Sequence, residues 1–255
     1  MATDSAKAEE FGTFSLYGDK AMVRTDLGGK AESAKEVAGE AITAVKPRLR
    51  GVSHQWAFAA SLFLGAGLIV AAKTPKATLA VAIYAVSLSA LLGTSALYHR
   101  VDWTQPEARK WMRRLDHSMI FFLIAGTYTP FALLVLHGAL AEAILVVVWI
   151  GAIAGAAVEM VWIDHPKWVA ALIYMSLGWV AAVAFPELWG SMGVAGTLLV
   201  AAGGLFYTAG AVVYATQRPN PNPRVFGYHE IFHLFVIAAA AAHFAAIAFF
   251  ALPAA

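Results

Sequence analysis

The chemistry available to this chain is imidazole and carboxylate chemistry. There are eight histidines and no cysteine, which excludes disulfides, iron–sulfur ligation, zinc thiolates and cysteine nucleophiles. A transition-metal site must therefore use His, Asp or Glu. His229 and His233 are four residues apart, a spacing that lets two imidazoles approach one ion from one face of a helix. Ser95 and His99 repeat that spacing. The segment from His229 reads H-E-I-F-H, which matches the letters of the zinc-protease pattern H-E-x-x-H, with Glu230 in the place of its general base. That pattern belongs to soluble proteases, and here it opens a very apolar segment, which weakens the protease reading.

The elements that must position these residues are membrane spans. Of the 255 residues, 60% are apolar and 13% charged, against roughly 25% charged in an ordinary soluble domain. Residues 1–50 carry eight basic and eight acidic side chains, about half of all the charges. A polar tail over 1–50 thus precedes an apolar body over 51–255. The net charge of +2 gives no argument for a nucleic-acid partner. The tail lacks an apolar run like a signal-peptide core, so the first span is expected to act as the targeting signal.

A span needs about 20 mainly apolar residues. The charge-free runs predict seven helices, roughly 53–72, 77–99, 117–136, 140–160, 168–186, 192–215 and 227–250. The runs lack the alternation of strands, and a helix satisfies its own backbone in lipid. The fold class is an all-α integral membrane protein, a seven-helix transmembrane bundle. Sixteen of the 18 Lys/Arg fall in the tail and in the loops after the second, fourth and sixth spans; only Lys73 and Lys76 fall on the other side. The bias places the N-terminus in the cytoplasm and the C-terminus outside. Pro130 is expected to kink the third helix, and Pro-Asn-Pro-Asn-Pro at 219–223 to stiffen a loop. Gly151 and Gly155 suit close packing, and 31–45 could form a surface helix.

That topology gathers the scarce polar groups. Ser95 and His99 lie at the inner end of the second span, Asp116 and His117 at that of the third, and His229, Glu230 and His233 at that of the seventh. Ionisable groups inside spans are costly and mark functional sites. His99 is the best third ligand. Three imidazoles around Zn²⁺ leave a fourth position for water, whose pKa falls to about 7. Asp116 could take the proton of that water, and Ser95 could hydrogen-bond the water or a developing oxyanion. The competing reading makes each of these an interfacial side chain among headgroups. His54, His165, Glu142 and Glu159 are read that way. His117 points about 100° from Asp116 and is a weaker candidate. His137 is placed on the outer side. His243 lies about 15 Å along the helix from His233, too far for the same ion, and is expected to be a hydrogen-bonded core histidine.

The stretches S-A-L-Y-H (95–99), R-L-D-H-S (114–118), G-T-Y-T-P-F (126–131) and P-N-P-R-V-F-G-Y-H-E-I-F-H-L-F (221–235) resemble the hemolysin III family. That family is the bacterial branch of the progestin and adipoQ receptor family and is related to the alkaline ceramidases. The resemblance runs from about Arg48 to Phe250. It implies seven helices and a zinc ion held by His99, His229 and His233, with Ser95 and Asp116 beside the water. The function it implies is a zinc-dependent hydrolase of membrane-lipid amide or ester bonds, in the plasma membrane, with a role in lipid homeostasis. The alternatives are a non-catalytic receptor-like sensor with structural zinc, and a cytolytic pore-former.

Overall fold

The structure, a computed structural model, describes residues 47–254. The surface helix expected over 31–45, and the tail reading as far as residue 46, lie outside the described residues. The rest is helical. Among the described residues the only extended pairing is an isolated bridge between Asn222 and Phe226. The helices are α1 (Val52–Ala71), α2 (Pro75–Arg100), α3 (Pro106–Leu134), α4 (Gly138–Val161), α5 (Lys167–Gly178), α6 (Phe185–Thr216) and α7 (Tyr228–Ala246). A 3₁₀ segment, Trp179–Ala184, joins α5 to α6, and α7 closes in a π-type turn, Ile247–Ala251. Proline opens α2 and α3 and falls in the first turn of α6, where its fixed φ suits the helix and its missing N–H would have had no partner.

Six helical stretches among the described residues are long and apolar enough to cross a membrane. Their outward side chains fit hydrocarbon rather than water: Phe63 is 81% exposed, Val70 86% and Val161 84%. Apolar surface on that scale in a soluble domain would be an aggregation site. One of the six stretches is Lys167–Thr216, 50 residues, which as a straight helix would extend about 75 Å. It is not straight. The 3₁₀ segment interrupts it, and Gly193 is non-helical at φ 67°, ψ −174°. The boundary expected over 186–192 thus falls just before a real break. Tyr128 holds the 3₁₀ segment in place: its hydroxyl donates to the Gly178 carbonyl at 2.6 Å and accepts from the Ala181 N–H at 2.6 Å.

The third helix starts at Pro106, eleven residues before the expected 117. Arg109, Lys110, Arg113 and Arg114 wind into its first turns; counting charge-free residues could not find a helix that begins in water and continues into lipid. Pro130 lies inside this helix as expected. Gly151 and Gly155 do make room, but for side chains: a Cβ at 151 would meet Leu177 Cδ1 at 2.5 Å, and one at 155 would meet the Phe121 ring at 2.2 Å. At the end of the bundle carrying Arg50, residues 48–49 lie along 224–225. The N–H of Arg48 donates to the Arg224 carbonyl at 3.1 Å, and that of Leu49 to Val225 at 3.2 Å.

Candidate metal centre

Four of the five members of the centre are carried by helix ends. The last two turns of α2 bring Ser95 and His99 to one face, and the first turns of α7 do the same for His229 and His233. Asp116 enters from α3, ten residues past its start. All five side chains are buried. Gly51 allows α2 to come this close, because a Cβ there would stand 2.6 Å from the His99 Cβ.

The three imidazoles converge. His99, His229 and His233 each offer a ring nitrogen, and these atoms lie within 4.8 Å of one another. His99 Nε2 and His229 Nε2 are 3.1 Å apart. Tetrahedral ligands at about 2.0–2.1 Å from an ion sit about 3.3 Å from each other, so that pair already has ligand spacing. His233 Nδ1 is buried with no hydrogen-bond partner. The trio could hold a metal ion. Asp116 Oδ2 lies 3.6 Å from His99 Nε2, at the edge of the cluster rather than between its rings.

Glu230 does not face the histidines. Its carboxylate receives the Arg50 guanidinium on one oxygen and the Gly227 N–H, at 2.7 Å, on the other. Both oxygens are engaged in closing the start of α7 against the strap of residues 48–50. The letters H-E-x-x-H are therefore met without the geometry of the protease motif.

A cavity of about 240 Å³ opens from this centre into the bundle. Ser95, Asp116, His229 and His233 line its polar end. Its walls are apolar, among them Ile120, Ile124, Phe131 and Val200, and its far end reaches Leu136 and Leu188.

Other polar residues divide differently from the sequence reading. His54, expected among headgroups, is buried and stacks on the ligand-side ring of His233, with centroids 3.8 Å apart and planes 12° from parallel. Glu159, also expected at the interface, is 1% exposed. It accepts from the Tyr174 hydroxyl at 2.8 Å and faces His165 Nε2 at 3.1 Å and His117 Nδ1 at 3.4 Å. His165 is thus buried too, and His117 turns away from the trio toward Glu159. Glu142 is exposed, and His137 is exposed beside Glu187. His243 is the expected hydrogen-bonded core histidine, with Nε2 3.2 Å from the Val200 carbonyl.

Comparison with known proteins agrees with this architecture. Residues 42–244 match the family model described as haemolysin-III related. The chain is 35% identical over 180 residues to Hemolysin-3 of Bacillus cereus, covering 71% of this chain and 78% of that protein. It is 31% identical over 168 residues to the Hemolysin-3 homolog of Bacillus subtilis (strain 168), covering 66% and 75%. A human protein, monocyte to macrophage differentiation factor, is 29% identical over 168 residues, covering 65% and 67%. With its apolar helices and a match over most of its length, this multi-pass membrane protein belongs to the haemolysin-III related family.

Proposed function

We propose that the protein is a zinc-dependent hydrolase of membrane-lipid amide or ester bonds. The observation that carries the reading is the convergence of three buried imidazoles, beside one carboxylate and one hydroxyl, at the polar end of an apolar cavity. The donor set suits zinc: three nitrogen ligands, no thiolate, and one pair already at tetrahedral spacing. Bound zinc supplies Lewis acidity, lowering the pKa of water and polarising a carbonyl. Around it His99, His229 and His233 act as ligands. Asp116 takes a proton from water on its Oδ2 and returns it to the leaving group. Ser95, on the same wall, donates its O–H to the oxygen on which charge develops. The cavity walls exclude bulk water and hold an acyl chain along Ile120, Ile124 and Phe131.

The membrane arrangement belongs to the same reading. The break at Gly193 supports two spans in Lys167–Thr216, hence seven in all. An odd number puts the termini on opposite faces, and the Lys/Arg bias puts the N-terminus, the 1–50 tail and the metal centre on the cytoplasmic side of the plasma membrane. The test is fatty-acid release from defined amide- and ester-linked lipids by purified protein. Wild type releases acid, and Asp116→Ala and His229→Ala do not. Turnover unchanged in zinc-free His229→Ala overturns the reading, whereas bound zinc with no turnover of any lipid leaves the sensor reading in its place.

A further inference from the structure

A fourth histidine sits against the metal centre. His54, near the start of α1, is 2% exposed and lies face to face with His233, with ring centroids 3.8 Å apart and planes 12° from parallel. Other rings around His233 meet it differently: His229 stands at 4.6 Å and 67°, His99 at 5.1 Å and 57°, and Phe232 at 5.8 Å and 52°. Both ring nitrogens of His54 are buried with no hydrogen-bond partner. A polar ring buried on those terms costs free energy. No hydrogen bond from the ring holds it there, and the specific contact it makes is the stack.

The same stack rules His54 out as a fourth ligand beside His233. An imidazole nitrogen binds a metal through a lone pair in the plane of its ring, so the ion lies close to that plane. Two nearly parallel rings, one on top of the other, have no such point in common. What the stack does is aim. The χ2 torsion of histidine is broad, so the surroundings must set the plane of a ligand ring. Ordinarily a hydrogen bond from the second ring nitrogen does this. His233 Nδ1 is buried and has no such partner. The flat face of His54 takes its place, because turning the His233 ring about χ2 drives an edge into it.

We propose that His54 is a positioning residue for the metal centre: its stacked ring sets the plane of the His233 imidazole and holds a ligand nitrogen in place before the ion arrives. The inference rests on the reading of His99, His229 and His233 as a metal site, but not on hydrolysis. Flatness is the property that matters here, so a phenylalanine at position 54 preserves the effect and an aliphatic side chain does not. Partners that orient a metal ligand are typically worth about 10–100-fold in metal affinity.

The test is metal binding by the purified full chain. Zinc affinity is measured by competition with a chelator, and the visible absorption of the cobalt(II)-loaded protein reports the geometry of the site. His54→Phe keeps the flat face and removes both nitrogens. His54→Leu and His54→Met remove the face and keep an apolar side chain, two variants guarding against one that does not fold. His54→Phe should bind zinc within about threefold of wild type and show the wild-type cobalt bands. His54→Leu and His54→Met should bind zinc about 10–100-fold more weakly, with shifted cobalt bands at saturation. Wild-type affinity in the aliphatic variants overturns the proposal, and so does a weakened affinity with unchanged cobalt bands, which is a packing effect. A loss in His54→Phe as large as in His229→Ala makes His54 a ligand and overturns it too. Wild type that binds neither metal removes the centre and the proposal together. Metal bound as expected in a protein that turns over no lipid upholds the proposal and removes the hydrolase alone.

Discussion

Replacing Gly51 with alanine should damage the metal centre without touching a ligand. Gly51 precedes α1 at φ 77°, in the left-handed region. A residue with a Cβ pays about 1–2 kcal/mol there. The new Cβ would also stand 2.6 Å from the His99 Cβ, and that atom is fixed to the α2 backbone and cannot swing aside. Forced overlap of this kind costs about 1–3 kcal/mol. The combined loss is about 2–5 kcal/mol, or roughly 4–20 °C in melting temperature at ~2–4 °C per kcal/mol for a chain of this size. The relief available is a shift of the His99 end of α2, which carries His99 away from His229. Gly67→Ala is the control. It makes the same chemical change within α1, where a Cβ would meet nothing within 4 Å, and alanine favours helix by up to about 1 kcal/mol. Thermal unfolding in one detergent, with metal content measured alongside, reads both effects. Gly51→Ala should melt several degrees lower and retain less zinc, with Gly67→Ala at or above wild type. Equal melting and equal zinc in the two variants would refute the reasoning.

Asp116→Asn should keep its zinc and lose lipid turnover by about 10²–10⁴-fold, the usual worth of a positioned general base. Glu230→Gln should keep both zinc and most turnover, because that carboxylate is engaged by Arg50 and Gly227; its effect should appear as a lower melting temperature. Gly155→Ala should destabilise by about 1–3 kcal/mol through overlap with the Phe121 ring, and the double change with Phe121→Leu should recover much of that in the same melting assay. Glu159→Ala strips the acceptor from the Tyr174 hydroxyl and should cost about 1–3 kcal/mol, while the zinc measured per chain stays at the wild-type value.

The end of the bundle a residue reaches was legible in the sequence and its azimuth was not. The expected shared level of Ser95, His99, Asp116, His229 and His233 near helix ends was enough to group them. The structure brings those five together. His54 has the same depth, two residues into α1. Nothing in its own helix indicated that it would face inward onto His233, since that depends on how α1 rotates against α7. The same holds for Glu159. Ile144, Val148, Ala152, Gly155, Ala156 and Glu159 form the buried stripe of α4 at three- and four-residue steps, but Val146, Val147, Ile150 and Ile153 on its exposed side are as apolar, so the sequence does not mark which face the carboxylate shares. The 3₁₀ segment after Gly178 follows from contacts of Tyr128, some fifty residues away in sequence, which local propensity does not encode.

The central claim is that His99, His229 and His233 together hold one zinc ion. Metal analysis of purified wild type beside His99→Ala, His229→Ala and His233→Ala tests it most directly. The account predicts one equivalent of zinc per chain in wild type and a small fraction of that in each variant. Zinc absent from wild type, or retained at one equivalent in all three variants, would contradict it.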